Sequence, residues 1–129
     1  MARPKSTALT ARELAVMQIF WKHSDASAEE AREAIAEGGE ELAYVTVANV
    51  VRGLADKGFL KQINKRRPFR FKAIRSFEDV SKRLVGDMVS RLFGGSREAL
   101  LVQLLDRKKL SDEERQYLHA VLERQEEEQ

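Results

Sequence analysis

The chain has 129 residues, 43% of them hydrophobic, which allows one or two small domains with a modest core and leaves no room for a large enzyme. With no cysteine it can build neither disulfides nor thiolate metal sites, and no apolar run approaches the roughly 20 residues needed to span a bilayer. The net charge of +2 hides an asymmetry: residues 1–75 hold 14 Lys and Arg against 9 Asp and Glu, whereas residues 76–129 hold 9 against 12.

Met1 to Thr7 carries Arg3 and Lys5 with no apolar stretch behind them, so a secretory signal is not expected. A soluble cytoplasmic protein without membrane insertion is the expectation. Thr10 with Glu13 three residues later predicts a capping box. Behind it, Leu14, Val16, Met17, Ile19, Phe20 and Trp21 are apolar on nearly every side, so this first helix should be mostly buried. Ser27 and Glu30 form a second box, opening a short alanine-rich helix that stops at Gly38-Gly39.

The third helix is expected over about Tyr44 to Lys57. At about 100° per residue, Val47, Val50, Val51 and Leu54 fall on one face, and Val45, Ala48, Asn49 and Arg52 on the other. The second face is small, with one amide and one guanidinium, which suits a helix lying against base edges in a major groove. Tyr44 and Thr46 flank it near the helix start, where hydroxyls and amide N–H groups can bond phosphate. A packing helix with an undecorated outer side is the alternative.

Between Phe59 and Arg75 stand seven basic residues (Lys61, Lys65, Arg66, Arg67, Arg70, Lys72, Arg75) and no acidic one. Phe69, Phe71 and Ala73 alternate with Arg70 and Lys72, and Asn64-Lys65-Arg66-Arg67-Pro68 reads as a turn, so the segment predicts a basic-tipped β-hairpin. Such charge runs also occur on ordinary solvated surface. Three helices followed by a basic hairpin is the order of a winged helix-turn-helix.

After the hairpin, Ser76 and Asp79 can cap a fourth helix to about Phe93, broken by Gly94-Gly95. Ser96 starts a fifth with Leu100, Leu101, Leu104 and Leu105. Ser111 with Glu114 caps a sixth bearing Tyr117, Leu118, Val121 and Leu122. Three short helices cannot bury this much apolar surface alone, so a second copy of the chain is expected to supply the other wall. The interface residues expected are Leu84, Met88, Leu92, Leu101, Leu104, Leu105, Leu118, Val121 and Leu122. Glu126-Glu127-Glu128 is expected to be a frayed, solvated end. The fold class is therefore mostly α with a small β wing: a winged helix-turn-helix domain over residues 1–75 and a C-terminal helical dimerisation domain over residues 76–129.

Catalytic and metal chemistry find little support. His23 and His119 stand without a second histidine at helical spacing, so no zinc site is expected, and neither is any cofactor. Ser111 reads as a cap, not a nucleophile.

Leu9-Thr10 with Glu13, Val16-Met17 and Phe20-Trp21, then Ala43-Tyr44-Val45-Thr46-Val47 running into Leu54-Ala55-Asp56-Lys57-Gly58-Phe59-Leu60, resembles the bacterial penicillinase-repressor family (the BlaI/MecI/CopY type). The likeness continues through Leu92-Phe93-Gly94-Gly95-Ser96 and Leu104-Leu105-Asp106 to Leu110-Ser111-Asp112-Glu113-Glu114, covering about residues 8 to 125. It implies a homodimeric repressor bound to an inverted-repeat, double-stranded DNA operator with half-sites of the TACA/TGTA type. It also places Tyr44, Thr46, Asn49 and Arg52 on the helix that enters the major groove, and Lys65, Arg66 and Arg67 at the wing.

Two departures stand out. Much of the family has a glycine before the arginine and aromatic that open the second wing strand, whereas this chain has Arg66-Arg67-Pro68-Phe69. The antibiotic-resistance members are released by cleavage at an asparagine–phenylalanine bond, for which a membrane sensor protease is the implied partner; Gln103-Leu104 is the equivalent bond here. The copper-responsive branch depends on cysteines, which this chain lacks. A rival of a different class is a winged-helix module whose third helix and hairpin bind an acidic protein partner.

Overall fold

The computed structural model describes residues 9–106 and 110–127. The element order is α1 (Ala11–Lys22), β1 (Ala26–Ser27), α2 (Ala28–Glu37), α3 (Tyr44–Asp56), β2 (Leu60–Gln62), β3 (Arg70–Ala73), α4 (Phe77–Arg91), α5 (Arg97–Asp106) and α6 (Asp112–Glu127). Arg3, Lys5 and Glu128 lie outside the described residues. Glu126 and Glu127 are exposed, as expected of a solvated end, but they form the last turn of α6 and not a frayed tail.

Serine and threonine caps set most of the helix starts. In α1 the Thr10 hydroxyl accepts the Glu13 N–H at 3.1 Å while the Glu13 carboxylate accepts the Thr10 N–H at 2.9 Å. Ser27 and Glu30 repeat the arrangement in α2, and Ser111 and Glu114 in α6. Each box satisfies two N–H groups that a helix start otherwise leaves orphaned.

Propensity does not favour α3, which carries four valines whose β-branches lose rotamer freedom in a helix. Packing decides instead. Val47, Val51 and Leu54 are at most 1% exposed and meet Val16, Met17 and Phe20 of α1 and Ala31 and Ile35 of α2 in one core. Burying a side chain of this size contributes about 1.5–3 kcal/mol. Val50 is only half-buried, as are Leu14, Ile19 and Trp21 of α1. The expectation that α1 is mostly buried is thus too broad: α1 packs on α2, α3 and β3, but Ala11, Arg12, Gln18 and Lys22 are exposed.

Gly58 ends α3. Its φ of +86° lets the Phe59 N–H return to the Leu54 carbonyl at 2.9 Å, and both side chains at that closure are buried. This is the Schellman ending, which only glycine adopts without strain. It turns the chain straight into β2.

The hairpin is antiparallel, with Leu60 opposite Ala73, Lys61 opposite Lys72 and Gln62 opposite Phe71. A third strand joins it: β1 pairs with β3, Ala26 opposite Phe71 and Ser27 opposite Arg70, giving the order β1-β3-β2. The sheet therefore ties the wing to the start of α2.

The chain divides into two compact units, the first ending at Leu84 and the second beginning at Val85. The first thus takes in the opening turns of α4, where Val80 is buried in the winged-domain core, whereas the sequence suggested a division near Arg75. In the second unit, Gly94 and Gly95 carry φ of +58° and +89° and stop α4, and the Ser96 hydroxyl accepts the Ala99 N–H to open α5. None of the residues of α5 and α6 whose side chains are described is buried.

One polar contact lies close to the core. The Glu13 side chain, 12% exposed, closes the α1 box and also pairs with Lys57 at 2.9 Å, joining the start of α1 to the end of α3. Burial pushes the Glu13 carboxyl up, but hydrogen bonds from Lys57 and Thr10 outweigh it and hold it below the ordinary glutamate range. A carboxyl lowered in the folded state stabilises the fold above its unfolded pKa and loses that contribution as pH falls through the folded one. Glu13→Ala is expected to cost about 1–3 kcal/mol at neutral pH. In urea unfolding, the gap between wild type and Glu13→Gln should narrow once the medium is acidic enough to protonate Glu13 in the folded protein.

Candidate nucleic-acid interface

With Val47, Val51 and Leu54 turned into the core, the opposite face of α3 is open. Val45 is 66% exposed and Tyr44 52%, Asn49 and Arg52 are exposed, and Thr46 and Ala48 are half-buried. The start of α3 differs from the other helices. Ala43 offers no side-chain acceptor for a cap, and the first turn holds no acid. The starts of α1, α2, α4, α5 and α6 have Thr10, Ser27, Ser76, Ser96 and Ser111 accepting an N–H, and each has an acid in its first turn. The first N–H groups of α3 are therefore left without a side-chain cap, at the positive end of an uncompensated helix dipole. Phosphate is the ligand such an end suits.

The wing cations separate into two groups. Arg70 points back into the domain: its Nε pairs with Asp25 at 2.5 Å and its Nη1 with Glu30 at 2.7 Å. Those carboxylates raise the guanidinium pKa, the hydrogen bond to Asp25 contributing most. Arg75 stacks over the Phe59 ring at 4.9 Å, and its carbonyl accepts the Trp21 indole N–H at 2.9 Å. Both belong to the basic run of the hairpin, and both are held in contacts within the domain. Lys65, Arg66 and Arg67 are exposed in the loop, with Arg67 over the Phe69 ring at 5.5 Å. Lys61 and Lys72, also exposed, face each other across the strands. Directly opposed like charges weaken a sheet unless something anionic lies over them.

Asn64 organises the loop. Its Oδ1 accepts the Arg70 N–H at 2.8 Å, and its Nδ2 donates to the carbonyls of Arg66 at 3.0 Å and Pro68 at 3.1 Å. Neither this role nor the anchoring of Arg70 is visible along the chain, because the partners of Arg70 lie 40 and 45 positions away.

The free face of α3 and the loop converge on a groove of about 750 Å³. Its lining combines Tyr44, Val45, Ala48, Asn49 and Arg52 of α3 with Arg67 of the loop and with Ser27, Ala28 and Glu29 at the start of α2. Thr46, Lys65 and Arg66 are not part of the lining. Chemically, the lining offers the amides of Asn49 and Gln62, the guanidiniums of Arg52 and Arg67, the Tyr44 hydroxyl and several apolar side chains, together with the carboxylates of Glu29 and Asp56. The amides and guanidiniums can exchange hydrogen bonds with base edges, and the guanidiniums can neutralise phosphate. No group of three or more His, Asp or Glu side chains among the described residues could hold a metal ion.

The profile of the penicillinase repressor family matches residues 9–124. The chain belongs to the penicillinase repressor family. Membership makes it a DNA-binding transcription regulator, and the fold agrees. The complex structure of hsRosR-S4 aligns at a TM-score of 0.52 and 15% identity, covering 76% of this chain and 88% of that one. The oxidised form of MarR from E. coli aligns at a TM-score of 0.52 and 14% identity, covering 90% of this chain and 74% of that one. At these identities the likeness shows the fold alone. No curated protein matches the sequence.

The remaining site residues expected of this repressor-family chain lie on α4, α5 and α6, apart from Leu92, which directly follows α4. Leu92 is 72% exposed, Leu104 66%, and Met88, Leu101, Leu105, Leu118 and Leu122 are exposed as well. Val121 is half-buried, and Leu84, expected at the dimer interface, packs partly against the core of the first unit. Gln103 and Leu104 are both exposed in the body of α5. No described helix is long and apolar enough to cross a membrane.

Proposed function

We propose that the chain is a homodimeric repressor that binds an inverted-repeat operator, each protomer laying α3 in a major groove while the wing loop grips the adjacent phosphate backbone. The observation that carries this reading is the convergence of the free α3 face and Arg67 of the wing loop on one groove, beside an α3 start left without a side-chain cap. Asn49 and Arg52 are assigned to base edges, since an amide pairs with adenine and a guanidinium with guanine. Val45, exposed and apolar, suits contact with a thymine methyl. Tyr44, Thr46 and the first N–H groups of α3 are assigned to phosphate. Half-sites of the TACA/TGTA type are the operator that family membership suggests.

Roles on the helix and on the wing differ in what they do to specificity. Asn49→Ala or Arg52→Ala is expected to cost about 1–3 kcal/mol on the operator and to relax base preference. Lys65→Ala or Arg66→Ala should weaken all DNA alike and flatten the dependence of log K on log salt by about 0.9 for each phosphate no longer neutralised. Fluorescence anisotropy with the upstream promoter duplex and a scrambled duplex, over a salt series, separates the two effects. Altered base preference in the wing variants and none in the helix variants would reverse the assignment.

The exposed leucines of α4 to α6 support a second copy as their partner. Leu92, just past the end of α4, and Leu104 on α5 are open to solvent, and no described side chain of α5 or α6 is buried; such a surface is what an obligate interface covers. Sedimentation at micromolar concentration is expected to show a dimer, and Leu104→Asp a monomer with weakened operator binding. A wild-type monomer under those conditions removes the argument for a shared core.

A further inference from the structure

We propose that Asn64 is the positioning residue of the wing, closing the loop so that its cations meet DNA in a conformation already formed in the free protein. The inference rests on the reading of Lys65, Arg66 and Arg67 as phosphate contacts.

The strand ladder ends where the Ile63 N–H donates to the Arg70 carbonyl at 2.9 Å. Beyond it, no backbone-to-backbone hydrogen bond among the described residues closes residues 64–69. Side chains do this instead. The Asn64 Oδ1 accepts the Arg70 N–H at 2.8 Å, which holds the near end of β3. The Asn64 Nδ2 donates to the Arg66 and Pro68 carbonyls, which draws both carbonyls inward on either side of Arg67. The Gln62 amide adds a fourth bond, donating to the Asn64 carbonyl at 2.7 Å. With the carbonyls turned in, the Lys65, Arg66 and Arg67 side chains are left exposed.

Asparagine suits this position because it carries one acceptor and two donors on a short stem. Aspartate would set a carboxylate against two carbonyls, and alanine would offer nothing. A loop without the clamp must be ordered when DNA binds, and that ordering entropy is subtracted from affinity. The opposite end of the clamp is fixed as well, since Arg70 is itself pinned by Asp25 and Glu30. The clamp thus joins the loop to the packed part of the domain.

Loss of positioning and loss of charge leave different signatures. Asn64→Ala keeps every cation, so DNA affinity should fall about tenfold for operator and scrambled duplex alike, with the salt slope unchanged. The double variant Lys65→Ala/Arg66→Ala should lower both affinity and slope. A readout without DNA comes from trypsin, which cleaves after Lys65 and Arg66 when the loop opens. In Asn64→Ala those two bonds should be cut about tenfold faster, while the rate after Lys22 stays that of wild type. Unchanged cleavage at Lys65 and Arg66, or an affinity equal to wild type, overturns the proposal. So does a salt slope that falls as far as in the double variant. If the double variant binds DNA as wild type does, the phosphate-grip reading fails by itself, and the trypsin rates still decide whether Asn64 closes the loop.

Discussion

The rotational setting of α3 governs everything else in this structure. Val47, Val51 and Leu54 sit in the core formed with α1 and α2, and a helix fixed along one stripe has no freedom to roll. Its other stripe, with Val45, Asn49 and Arg52, must then face outward. The setting is reinforced at both ends. Gly58 returns the chain onto Leu54, and Lys57 is tied to the Glu13 carboxylate at the start of α1. Rotating α3 by one residue would bury Ala48 or Arg52 in place of Val47 and Val51, and a guanidinium without a partner in that core is not tolerated.

The wing depends on the same frame. Its second strand is held between β1 and β2, and the Arg70 guanidinium reaches from it to Asp25 and Glu30 at the entry to α2. The basic stretch is thus not one electrostatic patch. Arg70 and Arg75 are used inside the domain, against two carboxylates and the Phe59 ring, and Lys65, Arg66 and Arg67 are left for solvent or a polyanion. The distinction matters for salt dependence, since cations already paired within the protein release few counterions when DNA binds.

Local chemistry was readable along the chain, and long-range chemistry was not. Thr10, Ser27, Ser76, Ser96 and Ser111 mark helix starts because capping depends only on residues within one turn. The valine spacing of α3 revealed its buried and open faces for a similar reason: helical geometry maps sequence position to direction. In contrast, β1 has two residues, too few for any alternation to register, and it pairs with a strand more than 40 positions later. The partners of Arg70 were hidden in the same way. Asn64 was legible as a turn residue but not as a clamp, because its bonds depend on how the seven residues between the strands fold back. The division between units shifted into α4 because Val80 is buried in the winged core, while Phe77, itself exposed, sets its ring edge-on to Trp21 at 5.3 Å.

The central claim is that the open stripe of α3 reads the DNA while the wing holds the backbone. The most direct test is an NMR titration of isotopically labelled protein with the upstream promoter duplex. The account predicts large changes at the Val45 methyls and at the Asn49 and Arg52 side-chain nitrogens, with intermolecular contacts to base protons, and small ones at Val47, Val51 and Leu54. Changes confined to the wing loop, or to α4 through α6, with the α3 side chains unmoved would contradict it.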